Sequence, residues 1–242
     1  MRLSLLARIL DLVCPRHCLI CGQRLLGEEE IVCLTCNLHL PRTNTWQQPE
    51  DNDMAKLFWH SIPVEKCCSL FHYHGHAPAS NLLYQLKYNQ HQDVGVAMGH
   101  LLASEANNIQ FFDDIDAIVP IPLSPKRQRE RGYNQSEAIA QGLHEATQIP
   151  VLKKIVRRKT FTESQTHKNR WERNRNVQDA FTLTPAYASG GSKAGSLCHK
   201  HLLIVDDVCT TGATIISCCQ ELMKAADSMK FSILTIGYAK GQ

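Results

Sequence analysis

Apolar residues along the chain repeat with two periods. Largely apolar stretches at 67–73, 115–119 and 231–238, and the continuous apolar run at 201–205, predict strands, the second ending at a proline pair, and 151–156 predicts another. Apolar positions spaced three and four apart predict helices over 79–87, 94–107, 133–147 and 213 to about 226. Strands alternating with helices of this length imply an α/β fold with a mostly parallel sheet flanked by helices. The stretch 42–66 is polar and reads as an irregular linker, and 188–195 (ASGGSKAG) reads as a flexible insert. The 242 residues suit one full domain with a small accessory module. We place the N-terminal module and linker at 1–60 and the α/β domain at 61–242.

Composition narrows the class. With 43% apolar and 20% charged residues, 26 basic against 23 acidic side chains and a net charge of +3, the chain is ordinary for a folded globular protein. Disorder, collagen and long coiled coil are excluded. The longest apolar run, near 115–123, is broken by Asp116 and two prolines and falls short of the ~20 residues needed to cross a bilayer. Residues 1–13 (MRLSLLARILDLV) have the flavour of a signal peptide, but Arg8 and Asp11 interrupt the apolar core. They read as a short amphipathic helix, and the chain as a cytoplasmic protein.

The eleven cysteines are an odd number, and five lie within the first 36 residues, which points to metal rather than disulfides. Cys18-x-x-Cys21 and Cys33-x-x-Cys36 form two knuckles eleven residues apart. Each knuckle aims two thiolates at one point, and two complete a closed tetrahedral zinc site of the ribbon type, with no open position for catalysis. Four thiolates on Zn²⁺ carry a net −2. Cys14 and His17 are spare donors that such a site does not need. Cys67, Cys68, Cys218 and Cys219 fall in strand or helix patterns and read as small buried hydrophobes, while Cys209 has no neighbour that would make it a nucleophile.

The segment 201–214, HLLIVDDVCTTGAT, places two carboxylates at the end of a buried strand and a Thr-Gly loop before a helix. Parallel α/β sheets bind ligands at the carboxyl ends of their strands, and a helix N-terminus offers unpaired amides to an anion. Gly212 permits close backbone approach, and Thr210, Thr211 and Thr214 add hydroxyls beside the Ala213 amide. Asp206 and Asp207 would repel a phosphate beside them, so they are assigned to sugar hydroxyls, with any metal contact running through water. Asp, Thr and Gly in this position are also common helix caps. The whole pattern, apolar strand then Asp-Asp-x-x-Thr-Thr-Gly-x-Thr, resembles the 5-phosphoribosyl-1-pyrophosphate (PRPP) motif of type I phosphoribosyltransferases. It lacks the Gly-Lys-Ser/Thr of a Walker loop.

Leu86-Lys87-Tyr88, VPIPL at 119–123, KRQRERGYNQ at 126–135 and the Arg-x-x-Asn-Val of 173–177 are similar to segments of ComF/GntX-type proteins, as is the pairing of a four-Cys module with a phosphoribosyltransferase-like domain. The resemblance covers nearly the whole chain, apart from the 188–195 insert and Cys14. It implies a type I phosphoribosyltransferase-like fold that binds PRPP with Mg²⁺. Asp206 and Asp207 would orient the ribose as the catalytic pair, and Thr210, Thr211, Gly212, Ala213 and Thr214 would hold the 5′-phosphate. Lys87, Arg127 and Arg131 would face the pyrophosphate. It also implies a role in natural transformation, with imported single-stranded DNA and the DNA-uptake machinery as partners.

From 153 to 175 nine cations face two acids, a local +7 in a chain of +3. On charge alone this is as readily a solvated loop. Arg158, Thr160, Gln165, Arg170, Arg173 and Asn174 match the family's mobile loop over PRPP, whereas Phe161 and Trp171 among the cations would also suit stacking on single-stranded DNA. Catalysis, non-catalytic PRPP sensing by a single-stranded-DNA-binding protein, and a nucleobase-type phosphoribosyltransferase unrelated to DNA uptake all need the same cradle, and no residue selects an acceptor base.

Overall fold

The computed structural model describes residues 14–75, 77–88, 91–107, 110–159 and 180–240. The chain is mixed α/β. After a short helix α1 (Leu34–Leu38) in the cysteine-rich segment come β1 (Val64–His72), α2 (Ser80–Tyr88), α3 (Gln92–Asn107), β2 (Ala117–Pro120), α4 (Pro125–Arg131) and α5 (Gln135–Thr147). They are followed by β3 (Val156–Arg158), β4 (Phe181–Leu183), β5 (His201–Cys209), α6 (Ala213–Leu222) and β6 (Lys230–Tyr238). Four strands form one all-parallel sheet in the order β1-β6-β5-β2, and β3 pairs antiparallel with β4 in a separate two-stranded ribbon.

Strand alternation sends side chains to two cores. Leu203, Val205, Leu234 and Ile236 pack with α2, α3 and α5, whereas Leu202, Ile204, Phe231 and Ile233 pack with α6. Helices thus cover both faces, and the central strands are largely apolar and buried, with Ser232 and Thr235 of β6 buried among them. On the first face, α3 and α5 cross so closely that a Cβ on Gly142 would strike the Val96 carbonyl, and one on Gly99 the Ile139 carbonyl.

The stretch expected to be a linker is irregular, with two 3₁₀ turns at Thr45–Gln47 and Ala55–Leu57, but it packs into the body. Trp46, Met54, Phe58 and Ile62 are buried, and Cys67 N donates to Pro49 O at 2.8 Å. Met54, Phe58 and Ile62, four residues apart, join the core on the α6 face, whereas Trp46 packs edge-on to Phe111 in the core on the other face. The cysteine module contributes to the Trp46 side, with Leu25, Val32 and Leu40 in the same cluster as Leu70, Leu82 and Leu86. The strand expected at 151–156 is interrupted. Val151 makes one bridge to Ile118, Lys154 turns left-handed (φ 62°), and the next strand begins only at Val156. The 188–195 insert folds as successive turns, closed by Gly191 N on Ala188 O and Lys193 N on Ala186 O. Residues 1–13 lie outside the described residues.

Candidate functional site

β5 runs past its apolar half because β6 continues to pair with it, Asp206 opposite Thr235 and Val208 opposite Gly237. The strand therefore delivers both carboxylates to the C-terminal edge of the sheet. Asp206 Oδ1 accepts from Ser136 Oγ at 3.0 Å and from the Asp207 amide at 2.9 Å. Ser136 is placed by the turn that opens α5. Asn134 caps that helix through Ser136 N and anchors it by donating to Ile121 O at 3.0 Å, just beyond β2. Burial, reinforced by the Asp207 charge, pushes the Asp206 carboxyl up to about 7. Asp207 Oδ2 faces Lys87 Nζ at 3.1 Å, from the last turn of α2. The two adjacent acids are therefore held differently, one by a hydroxyl and an amide, the other by an ammonium.

The loop after β5 reaches α6 through Gly212, left-handed at φ 74°. A Cβ there would lie 2.8 Å from Phe58 Cε1, so both conformation and space call for glycine. No side chain caps α6, whose first turn meets only a long contact of 3.5 Å from Ala213 N to Thr211 Oγ1. Thr210 and Thr211 are exposed and Cys209 is buried, its thiol raised to about 12 by burial. A thiol held neutral is no nucleophile.

On the other flank stands α4, whose cations were expected only as a basic stretch before a helix. Ser124 caps it by accepting from Arg127 N, Pro125 opens it and left-handed Gly132 ends it, signals all present in the sequence. Arg131 donates to Gln135 Oε1 at 2.8 Å, and Arg127 is exposed. Arg158 on β3 lies with its guanidinium over Phe181, 5.4 Å from the ring centroid. Burial and the Arg127 charge lower its pKa, whereas Asp206 acts to raise it, so the two arginines and the carboxylate share one neighbourhood. Beside them opens a groove of about 760 Å³ lined by prolines 120, 122 and 125 and by Lys154, Arg157 and Arg158. Lys159 N donates to Ala180 O at 2.8 Å and closes the ribbon. Thr160, Gln165, Arg170, Trp171, Arg173 and Asn174 lie outside the described residues.

Thus Asp206, Asp207, Lys87 and the 210–214 loop come together, and Arg127 and Arg158 border them. Ser136 and Phe58 went unread in the sequence. Ser136 carried no mark beyond following a helix cap, and Phe58 lay in the stretch taken for a linker.

The ligand atoms of Cys18, Cys21, Cys33 and Cys36 lie within 4.8 Å of one another, the one such metal-binding group among the described residues; it includes neither Cys14 nor His17. Cys21 Sγ and Cys33 Sγ are 3.8 Å apart, close to the ~3.8 Å edge of a tetrahedron with 2.3 Å zinc–sulfur bonds. Cys33 caps α1, with Cys36 N donating to its sulfur at 3.4 Å. The donor set fits a structural zinc ion. Cys67, Cys68, Cys218 and Cys219 are buried.

No protein-family model matches the chain. Over 215 residues it is 27% identical to the DNA utilization protein YhgH of Escherichia coli K12, covering 86% of this chain and 84% of that protein. It is 30% identical over 141 residues to competence protein F of Haemophilus influenzae, covering 57% and 58% of the two chains. Against competence protein ComFC of Bacillus subtilis the identity is 30% over 120 residues, covering 48% and 43%. No described helix is long and apolar enough to cross a membrane. Parallel sheet, four-cysteine cluster and these relatives agree with the resemblance read from the sequence, and the chain is a homologue of the ComF-type competence and DNA utilization proteins.

Proposed function

We propose that this protein binds PRPP as its Mg²⁺ complex at the C-terminal edge of β5 and acts on single-stranded DNA entering the cytoplasm during natural transformation. The observation that carries the PRPP reading is the juxtaposition of Asp206 and Asp207 with an uncapped helix N-terminus behind a Thr-Gly loop. The loop amides and the hydroxyls of Thr210, Thr211 and Thr214 would take the 5′-phosphate. Asp206 and Asp207 would accept from the ribose hydroxyls. Both carboxylates already hold protein donors, which suits an outer role toward the cation better than direct ligation. Bound Mg²⁺ would neutralise charge on the pyrophosphate.

Lys87, Arg127 and Arg131, with Arg158 on β3 rather than in the loop and the segment carrying Thr160, Gln165, Arg170, Trp171, Arg173 and Asn174, would stabilise the departing pyrophosphate as a nucleophile attacks C1. The DNA half of the reading rests on the names of the relatives and on the cationic groove. Cys18, Cys21, Cys33 and Cys36 would hold one structural zinc within the 1–60 module, and 61–242 would form the ligand-binding domain.

Isothermal titration of PRPP with Mg²⁺ tests the first half. We expect binding that the paired variant Asp206→Asn with Asp207→Asn weakens at least tenfold, each charge-assisted hydrogen bond contributing about 1.5–3 kcal/mol. No binding by the native protein, or equal binding by the variant, removes PRPP from the account. Pyrophosphate release with single-stranded DNA or with each nucleobase separates a transferase from a second reading, a PRPP-sensing DNA-binding protein that releases none.

A further inference from the structure

α2 buries Leu82, Leu83 and Leu86 and turns Tyr84 and Tyr88 outward. These two rings are 55% and 62% exposed and form one contiguous aromatic patch. They stand one helical turn apart with ring centroids separated by 4.8 Å and planes tilted by 39°. Each ring supports the other and leaves outward π surface to solvent. Lys87, between them in sequence, reaches Asp207 at 3.1 Å. Tyr84, Lys87 and Tyr88 also line one hollow of about 450 Å³ with Tyr73, Ser80 and Asn81. The aromatic pair is therefore continuous, through Lys87, with the acidic edge of β5.

We propose that Tyr84 and Tyr88 form a stacking platform for the bases of single-stranded DNA beside the PRPP site, a role that rests on the DNA half of the proposed function. The chemistry favours a nucleic-acid base over an apolar peptide side chain. The hollow is open and edged by Ser80, Asn81 and Lys87; one donor of each is engaged by His74 O, Leu19 O and Asp207, which leaves the oxygens of Ser80 and Asn81 and the remaining ammonium protons of Lys87 to meet the polar edges of a stacked base. Bases stack on exposed rings without regard to sequence, whereas phosphates follow cations. The platform would accordingly supply affinity that salt does not weaken, complementing the cationic groove.

Fluorescence anisotropy with a labelled oligo(dT) strand measures the effect in the full-length protein. The double variant Tyr84→Ala with Tyr88→Ala is expected to bind roughly five- to a hundredfold more weakly. Its dependence on salt should be unchanged, and Tyr84→Phe with Tyr88→Phe should bind like the native protein. An abasic strand of the same length should lose most of the difference between native and alanine forms. PRPP titration of the alanine variant gives native affinity if the fold and the acidic edge are intact. Equal strand binding by the alanine and native proteins, or equal loss with the abasic strand, overturns the platform alone. Failure of the native protein to bind the strand at all overturns the DNA reading and the platform with it, while leaving PRPP binding to its own titration.

Discussion

Ser136 and Asp206, seventy residues apart, meet at 3.0 Å where the start of α5 faces the end of β5. That bond satisfies one lone pair of a carboxyl that burial and Asp207 otherwise press toward its neutral form, up to about 7. A folded-state value above the unfolded value of about 4 means that the native chain holds this proton longer than the unfolded chain does. Stability from this group is therefore greatest at low pH and declines as pH rises from about 4 to about 7. Asp206→Asn, which keeps an acceptor for Ser136 and for the Asp207 amide, should stabilise the ligand-free protein by a few kcal/mol at pH 8 and hardly at all near pH 4. Urea unfolding at the two pH values reads the difference; equal effects at both would show that Asp206 is not held neutral.

The crossing of α3 and α5 predicts a sharp contrast between glycines. Gly142→Ala forces a methyl group against the Val96 backbone, and neither helix can yield without moving its core face. We expect a loss of about 2–4 kcal/mol in urea unfolding. Gly75→Ala, with open space around its position, should change stability by no more than about 0.5 kcal/mol.

Zinc removal should reach beyond the cysteine module. Leu25, Val32 and Leu40 share a core with Leu70, Leu82 and Leu86, and Asn81 on α2 donates to the carbonyl of Leu19 inside the first knuckle. Metal analysis is expected to give one zinc per chain, and Cys21→Ser should lower both occupancy and the melting temperature of the whole protein. Full occupancy in that variant would contradict the four-sulfur site.

If the cationic groove follows a strand of DNA, log affinity should fall with log salt by about 0.7 for each phosphate neutralised. Lys154 and Arg157 line it, and both are exposed. Lys154→Ala with Arg157→Ala should flatten the slope by up to about 1.4, measured by anisotropy from 50 to 300 mM salt. An unchanged slope would place the phosphates elsewhere.

The parallel sheet was legible because strands buried on both faces are written as largely apolar stretches, and the acidic pair because it closes the unbroken run at 201–205. The sequence carried less where tertiary pairing decides. β5 continues through two aspartates that no strand propensity favours, held by β6 residue for residue as far as Cys209. The β3–β4 ribbon is three residues on each side, too short for a period to register. Ser136 became part of the site only when the α5 cap was set against β5. α4, not expected as a helix, carries its boundary signals in Ser124, Pro125 and Gly132, but its seven residues include no apolar position and so show no period.

The bond from Lys159 N to Ala180 O makes the β3–β4 ribbon a socket. Twenty residues leave and return at one point that takes no part in the parallel sheet. Their number can change without shifting the register of any strand that carries Asp206 or Asp207. Grafting a shorter or differently charged segment between Lys159 and Ala180 would then leave the acidic edge itself in place.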